Sequence, residues 1–429
     1  MGDPCVKRRW LIIADDLTGA ADSASAFARR RLPAHVTWGE PRPESLADTV
    51  ALAFDADTRQ LPAAAGARRH HDILRRLFEP RMQVFKKIDS TLRGHPAEEI
   101  GAMLDNLSTW LPRLRAVFTP AFPAGGRVTR NGRIYVHGAA LEHTEFWSNS
   151  RPQEHASLVS LLESAGLHAR HVPLDLVRAG VASLRAAFDA DSEHANQHGT
   201  TVCVCDAETD DDLERIAAAA LDDAPTFFAG SAGLAQALAG IASRDAVPRL
   251  VPCAPGVDRR GALLVVGSQA GPSRAALAPL GELSALRRVS ISALQLLDDA
   301  HAGGVLPLGD LARELDAGTD IAIDILPAAT AASTSPRIVA ALARHIAPLA
   351  AHASALMATG GDTATALLSR CDVHGIRLID EIEPGSSLGL TLGAVTLPVV
   401  TKSGGFGDAG SLRRIAERLR FIRQTGTVA

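Results

Sequence analysis

The sequence predicts an α/β protein of two domains, each a mainly parallel sheet flanked by helices, with a β-hairpin inserted in the first. Three observations lead there. Apolar runs of strand length recur along the 429 residues, each ending at a polar or glycine-rich turn and then passing into apolar spacing of helical period. A single core rarely grows past roughly 250 to 300 residues, so a chain of this length divides. The stretch from Ser243 to Gly261, SRDAVPRLVPCAPGVDRRG, is rich in Pro and charge and lacks an apolar period, which marks the division. The expected parts are residues 1–242, a linker at 243–261, and residues 262–429.

The elements follow in order. WLIIAD reads as a buried strand running into the helix DLTGAADSASAFARR, and VALAF reads as a second strand closing on FDADTR. MQVFKKID leads into STLRGHPAEEIGAMLDNL, where Pro96 and two Glu suit the first turn of a helix. RVTRNGRIYV changes the rhythm, because Asn131 and Gly132 offer the positive φ angles of a two-residue hairpin turn. A surface loop is expected near 148–155. TVCVCDA precedes DDLERIAAAALDD and TFFAG precedes SAGLAQALAGIA; beyond the linker, ALLVVG precedes SQAGPSRAALAPL and ALMATGG precedes DTATALLSRC.

Composition narrows the function. Hydrophobic residues make up 46% and charged residues 21%, with a net charge of −4, so no basic stripe exists to displace counterions from a phosphate backbone, and nucleic acid is excluded as a partner. No run approaches 18 apolar residues, and the WLIIA segment after KRR is too short for a signal peptide, so neither a membrane span nor export is expected and the cytoplasm is the expected compartment. The five cysteines include no C-x-x-C pair, which argues against a disulfide framework and a zinc cage, and no metal-ligand set is assigned. Cys203 and Cys205 alternate on one face of a strand as small core residues. Alanine-rich helices such as LERIAAAALDD offer apolar faces that suit either the core or a homodimer contact.

Only four lysines, Lys7, Lys86, Lys87 and Lys402, stand against 40 arginines, and three of the four lie in segments rich in Gly and Asp where an ammonium and a guanidinium are not interchangeable. Asp15 and Asp16 end the first strand where a helix begins, the crevice where open α/β sheets bind ligands. Adjacent carboxylates there can hold sugar hydroxyls, hold Mg²⁺ or take a proton from an attacking alcohol, while Asp16 is equally suited to cap the helix. In FDADTR, Arg59 stands where an aspartyl-phosphate hydrolase needs Thr or Val, which argues against that chemistry; the guanidinium is instead suited to fork onto a carboxylate. The run from Lys86 to Gly94 gathers Lys87, Asp89, Ser90 and Arg93 with a further Lys and Thr, a mixture able to hold a small anionic polyol.

Beyond the linker the chemistry passes to small residues. Gly267 to Gly271, Ala358 to Thr363 and Lys402 to Asp408 form three short turns, and the first two follow strands and open helices, so backbone N–H groups and the helix dipole together favour phosphate. No G-x-x-x-x-G-K-[ST] and no G-x-G-x-x-G occurs, so a nucleotide would need another scaffold. Gly-Phe-Gly-Asp at 405–408 locally resembles the anion hole and base of ribokinase-type sugar kinases.

Taken in order, ADDLTGAADSASAFA, KKIDSTLRG, PAFPAGGR, AGSAGLA, GSQAG, TGGDTATALL and KSGGFGD resemble the four-carbon acid sugar kinase family, from Trp10 to Leu412. The resemblance implies an N-terminal domain for the sugar acid, a C-terminal domain for the nucleotide, and phosphorylation of threonate, erythronate or 3-oxo-tetronate by ATP with Mg²⁺. By position, Ser268, the turn Gly360, Gly361, Asp362 and Thr363, and Gly404 or Gly405 would meet the nucleotide. The chemistry above puts the acid on Asp15, Asp16, Arg59, Lys87, Asp89, Ser90 and Arg93, with Asp16 as proton acceptor and Asp408 as the other candidate. Two departures bear on substrate choice: Gln269 stands where the family pattern has a small or hydroxyl residue, and Trp147-Ser148-Asn149-Ser150 replaces an expected Asp-Pro. The competing readings are a non-catalytic sensor of a sugar acid and a nucleotide, which would need no carboxylate at an attacked hydroxyl, and a hydroxy-acid dehydrogenase, which would need a dinucleotide fold.

Overall fold

The computed structural model describes residues 8–41, 48–144, 147, 157–198, 200–222, 224–244, 256–297, 306–326 and 336–428. Most of the expected linker, the expected surface loop near 148–155, the Ser148–Ser150 departure, Lys7, Cys5 and Cys253 lie outside the described residues. The strands in chain order are β1 (Trp10–Ala14), β2 (Ala34–Thr37), β3 (Ala51–Asp55), β4 (Gln83–Lys87), β5 (Arg115–Thr119) and β6 (Arg127–Arg130). They continue with β7 (Arg133–Val136), β8 (Ala139–Ala140), β9 (Ala169–Val172), β10 (Val202–Cys205), β11 (Thr226–Gly230) and β12 (Ala262–Val266). The remaining six are β13 (Leu286–Ser292), β14 (Asp320–Leu326), β15 (Ala355–Thr359), β16 (Val373–Glu383), β17 (Ser386–Gly393) and β18 (Pro398–Lys402). Two compact units result, one holding the described residues of 8–32 and 48–244, the other those of 33–41 and 256–428.

In the first unit the sheet order is β3-β1-β4-β11-β5-β10-β9, and every neighbouring pair is parallel. Parallel strands need crossovers, and the helices that supply them cover both faces, so β1 is buried along its whole length and reads as an unbroken apolar run. Leu11, Ile12 and Ile13 have no exposed surface, and Trp10 tilts against Phe27 and Phe228 at ring separations of 5.4 and 6.0 Å. Alanines let the helices Leu17–Ala28, Asp210–Ala220 and Ala232–Ala242 lie close side by side, while Ala63–Leu77 packs on Pro96–Trp110. The apolar face of Asp210–Ala220, with Leu213, Ile216 and Ala217 fully or almost fully buried, belongs to this core. Cys203 and Cys205 are buried free thiols on β10.

The hairpin is present as β6 and β7, with β8 as a third antiparallel strand, and Asn131 and Gly132 take φ angles of 51° and 66° in its turn. Asp206 anchors that turn by accepting from the Asn131 and Gly132 N–H groups at 2.8 and 3.0 Å.

In the second unit the order is β13-β14-β12-β15-β18-β17-β16-β2. The first five strands are parallel; β17 and β16 then fold back as an antiparallel pair, and β2 joins antiparallel to β16. The core of this unit gathers Leu264, Val266, Met357 and Val400 from the sheet and Leu412, Ile415 and Leu419 from the helix Ser411–Thr425.

Candidate functional site

Strand order fixes which turns meet. In the first unit β3 lies on one side of β1 and β4 on the other, so the order reverses at β1, the switch point where α/β sheets leave a crevice at the carboxyl ends of their strands. Ala14 pairs in register with Asp55 and with Lys87, and the residues that follow all three strands are therefore neighbours. Asp15 and Asp16 come from the first turn, Arg59 from the second, and Lys87, Asp89, Ser90 and Arg93 from the third.

Their contacts are specific. Arg59 forks onto Asp15, with Nε donating to Oδ2 at 2.7 Å and Nη2 to Oδ1 at 2.9 Å, and its Nη1 donates to Asp16 Oδ2 at 2.6 Å. The fork onto a carboxylate that the sequence suggested for Arg59 is thus made to the chain's own Asp15. Asp16 also accepts from Thr18 Oγ1 at 2.7 Å and from the Gly19 N–H at 2.8 Å, so it does cap the helix Leu17–Ala28. Arg93 forks in the same manner onto Asp89, through Nε at 3.0 Å and Nη2 at 2.7 Å, and Thr91 donates to Asp89 through both its N–H and its hydroxyl. Lys87 Nζ donates to the Ile88 carbonyl at 2.8 Å and lies beside Gly19, where an added Cβ would come within 3.1 Å of it. Ser90 is buried in the same turn.

Charge state follows from this packing. Burial by itself would raise the Asp15 carboxyl, but Arg59, Lys86 and Lys87 outweigh it and hold the group down at about 2. Asp89 is likewise buried, yet Arg93, Arg59 and the Thr91 hydroxyl hold it well below the usual carboxylate range. The crevice therefore presents fixed carboxylates and guanidinium groups.

The second unit repeats the geometry with different residues. β12 lies between β14 and β15, β15 lies beside β18, and in register Val266 pairs with Thr359 and Thr359 with Lys402, so the three small-residue turns sit side by side at the carboxyl ends of adjacent strands. The Ser268 N–H donates to Thr359 Oγ1 at 3.2 Å, and the Ser273 hydroxyl donates to the Gly404 carbonyl at 3.1 Å. Gly404 lies so close that a Cβ there would stand 2.0 Å from Ser268 Oγ. Gly360, at a φ of 88°, opens the helix Gly361–Arg370, whose first turn carries Gly361, Asp362 and Thr363. Among these turns Gly405 has open space where a side chain would be.

Lys402 is fully buried beneath the third turn, where its ammonium donates to the Phe406 carbonyl at 2.6 Å and to the Ser403 carbonyl at 3.1 Å. Burial pushes it down to about 8, against the pull of Glu383 and Asp408. Asp408 belongs to this unit, is largely exposed and pairs with Arg414 at 2.9 Å. Gln269, the departure from the family pattern, sends its amide to the Ile325 carbonyl at the end of β14 at 3.3 Å, where β14 neighbours the first turn.

Sequence reasoning passed over Thr18, Thr58 and Glu99, which support the carboxylates and the Arg59 turn. Glu99 reads in sequence as a helix first-turn acid, and nothing in its spacing reveals that helix packing seats it against Lys86 and Thr58. Among the described residues no cluster of three or more metal-ligating side chains occurs, and no helix is long and apolar enough to cross a membrane.

Two family profiles match the chain. Residues 10–238 match the family profile described as a sugar-binding N-terminal domain, and residues 264–412 match the one described as a nucleotide-binding C-terminal domain. The chain is 36% identical to the D-threonate kinase of Cupriavidus necator over 411 residues, which cover 94% of this chain and 96% of that one. It is 27% identical to the D-erythronate kinase of Heliobacterium modesticaldum, over 93% of this chain and 94% of the relative. A crystal structure of a Salmonella typhimurium LT2 protein shares the fold at a TM-score of 0.75, with 23% identity, covering 95% of this chain and 98% of that one.

Proposed function

The chain belongs to the four-carbon acid sugar kinase family, and from that premise we propose how its residues divide the reaction and which acid it takes. It is a phosphotransferase that uses ATP to phosphorylate a hydroxyl of a four-carbon sugar acid. The acid we assign is D-threonate, the substrate in the name of the relative at 36% identity. The observation that carries the assignment of roles is the meeting of Asp15, Asp16, Arg59, Lys87, Asp89 and Arg93 at one strand-end crevice.

Phosphoryl transfer asks little covalent chemistry of the protein and depends on alignment, charge neutralisation and a group that takes the hydroxyl proton. Asp16 is our proton acceptor. Three of its lone-pair directions are occupied by Arg59, Thr18 and Gly19, which leaves one for a substrate hydroxyl. Lys87 beside it balances charge on the acid or on the moving phosphoryl group, while Asp89 and Ser90 accept from and donate to the remaining hydroxyls, and the more exposed Arg93 faces the substrate carboxylate. In the second unit Ser268, the helix start at Gly360 to Thr363, and Gly404 with Gly405 receive the ATP phosphates.

Mg²⁺ belongs to this reading as the ion that accompanies the triphosphate, since one or two carboxylates and substrate phosphates commonly complete its shell. Asp362, a hard oxygen donor in the first turn of the helix Gly361–Arg370, would supply such a carboxylate. When bound, the ion would neutralise charge on the phosphates. Consumption of ATP leads us to assign the reaction to the cytoplasm.

The test is ADP release with Mg²⁺ and ATP against D- and L-threonate, D- and L-erythronate, 3-oxo-tetronates and longer sugar acids, with product mass as the check for a transferred phosphoryl group. Turnover confined to D-threonate is expected. Preference for another four-carbon acid would overturn the substrate assignment, and equal turnover of longer acids would overturn the proposed fit of the crevice.

A further inference from the structure

We propose that Glu99 is a positioning residue of the acid site, acting through Thr58 to fix the turn that delivers Arg59 onto Asp15 and Asp16. The inference deepens the reading above, and rests on it, in naming what holds the crevice in register. Glu99 is 1% exposed, and a carboxylate at that depth needs both of its oxygens partnered. One oxygen, Oε2, takes the fully buried Lys86 ammonium at 2.7 Å; the other, Oε1, takes the Thr58 hydroxyl at 2.7 Å. His70 Nε2 stands 3.6 Å from Oε2, while His70 Nδ1 lies 3.1 Å from the Gly66 carbonyl. A side chain at Gly66 would place its Cβ 3.2 Å from Glu99 Oε1, so the helix Ala63–Leu77 turns a bare backbone toward this carboxylate.

What separates the cluster from an ordinary buried ion pair is its place in the chain. Thr58 and Arg59 are consecutive, and both of their N–H groups donate to the Asp15 carbonyl, at 3.0 and 3.2 Å. The backbone of the turn is thus tied to the end of β1, and the Thr58 side chain is tied to Glu99 while the next side chain forks onto Asp15. Lys86 in turn precedes Lys87 on β4 and donates to the Lys87 carbonyl at 3.0 Å. Helix Pro96–Trp110, β4 and the β3 turn therefore meet at one buried carboxylate directly beneath the residues assigned to the substrate. A hydrogen bond at Thr58 sets the angle from which Arg59 reaches the two aspartates, and misplacement of a site group by about 1 Å can cost about a hundredfold in rate.

Glu99→Gln would also strip Lys86 of its charge partner, so the sharper variant is Thr58→Val, which keeps shape and removes the hydroxyl, with Thr58→Ser as the conservative control. Two readouts are taken on the full chain: the Nε–H resonance of Arg59, assigned by its loss in Arg59→Lys, and steady-state kinetics with the acid and with ATP varied separately. In Thr58→Val the Arg59 resonance is expected to shift and broaden, and kcat/KM for the acid to fall about tenfold to a hundredfold, with the KM for ATP within about twofold of the parent. Thr58→Ser is expected to restore both. An unchanged Arg59 resonance in Thr58→Val, or equal losses toward acid and ATP, would overturn the proposal. If the parent phosphorylates no four-carbon acid while its Arg59 resonance still responds to Val and recovers with Ser, the assignment of the reaction fails and the positioning role of Glu99 stands.

Discussion

Asp16 and Asp15 are adjacent, yet their surroundings give them different work. Asp16 keeps one lone-pair direction for a ligand, so Asp16→Asn removes the proton acceptor we propose while Thr18 and Gly19 still hold the side chain; turnover is expected to drop by about two to four orders of magnitude with the circular dichroism spectrum unchanged. Near-normal turnover in that variant, with a large loss in Asp408→Asn, would transfer the role to Asp408. Asp15 instead accepts the Arg59 fork. Its folded value near 2 lies below the ordinary 3.8, so its contribution to stability is fully present above about 3.8 and is lost as the pH falls through about 2. That shift corresponds to about 2 kcal/mol, and Asp15→Asn should flatten the acid limb of the stability curve between about pH 4 and pH 2 in urea titrations. A parent curve already flat across that interval would contradict the assignment.

At the scale of elements, the strand-to-turn-to-helix segments were legible because each pairs a buried apolar run with a turn that no strand tolerates: WLIIAD with ADDLTG, MQVFKKID with STLRG, ALMATGG with DTATALL. The hairpin was legible from Asn131-Gly132, a pair that accepts positive φ. The closeness of the turns to one another was not, because it depends on strand order, which sequence spacing does not encode. Gly404 shows the consequence. Its missing side chain is needed only because the first and third turns of the second unit come together, and Gly404→Ala forces Ser268 and Gly404 apart. ATP affinity is expected to weaken about tenfold or more, which corresponds to about 1.4 kcal/mol, with acid binding retained when each ligand is titrated alone by calorimetry. Retained ATP affinity would mean that the turns do not act as one phosphate cradle.

At the scale of the whole molecule, the chain lends a short piece of its N-terminal half to the second unit. β2 pairs with Gly375–Leu378 on β16, Thr37 donates to the His374 carbonyl at 2.7 Å, and the Trp38 indole donates to Ser369 at 2.8 Å. A fragment of residues 250–429 would therefore expose one edge of β16. Such a fragment is expected to melt about 5 to 10 °C below one to which residues 33–41 are supplied as a peptide, and to aggregate at concentrations where the supplemented one stays monodisperse. Equal melting temperatures in differential scanning calorimetry would show that β2 contributes little to this unit.

The sequence by itself determined the α/β class, the hairpin and the placing of acids and guanidinium groups at strand ends, because periodicity, turn chemistry and residue type are local properties of the chain. Its motif order also carried the family resemblance. Only the tertiary structure decided that Arg59 and Arg93 fork onto Asp15 and Asp89, that Glu99 lies beneath the crevice, and that residues 34–37 complete the sheet of the second unit. Those outcomes depend on which strands become neighbours and which helix faces meet, and packing between residues distant in sequence selects them.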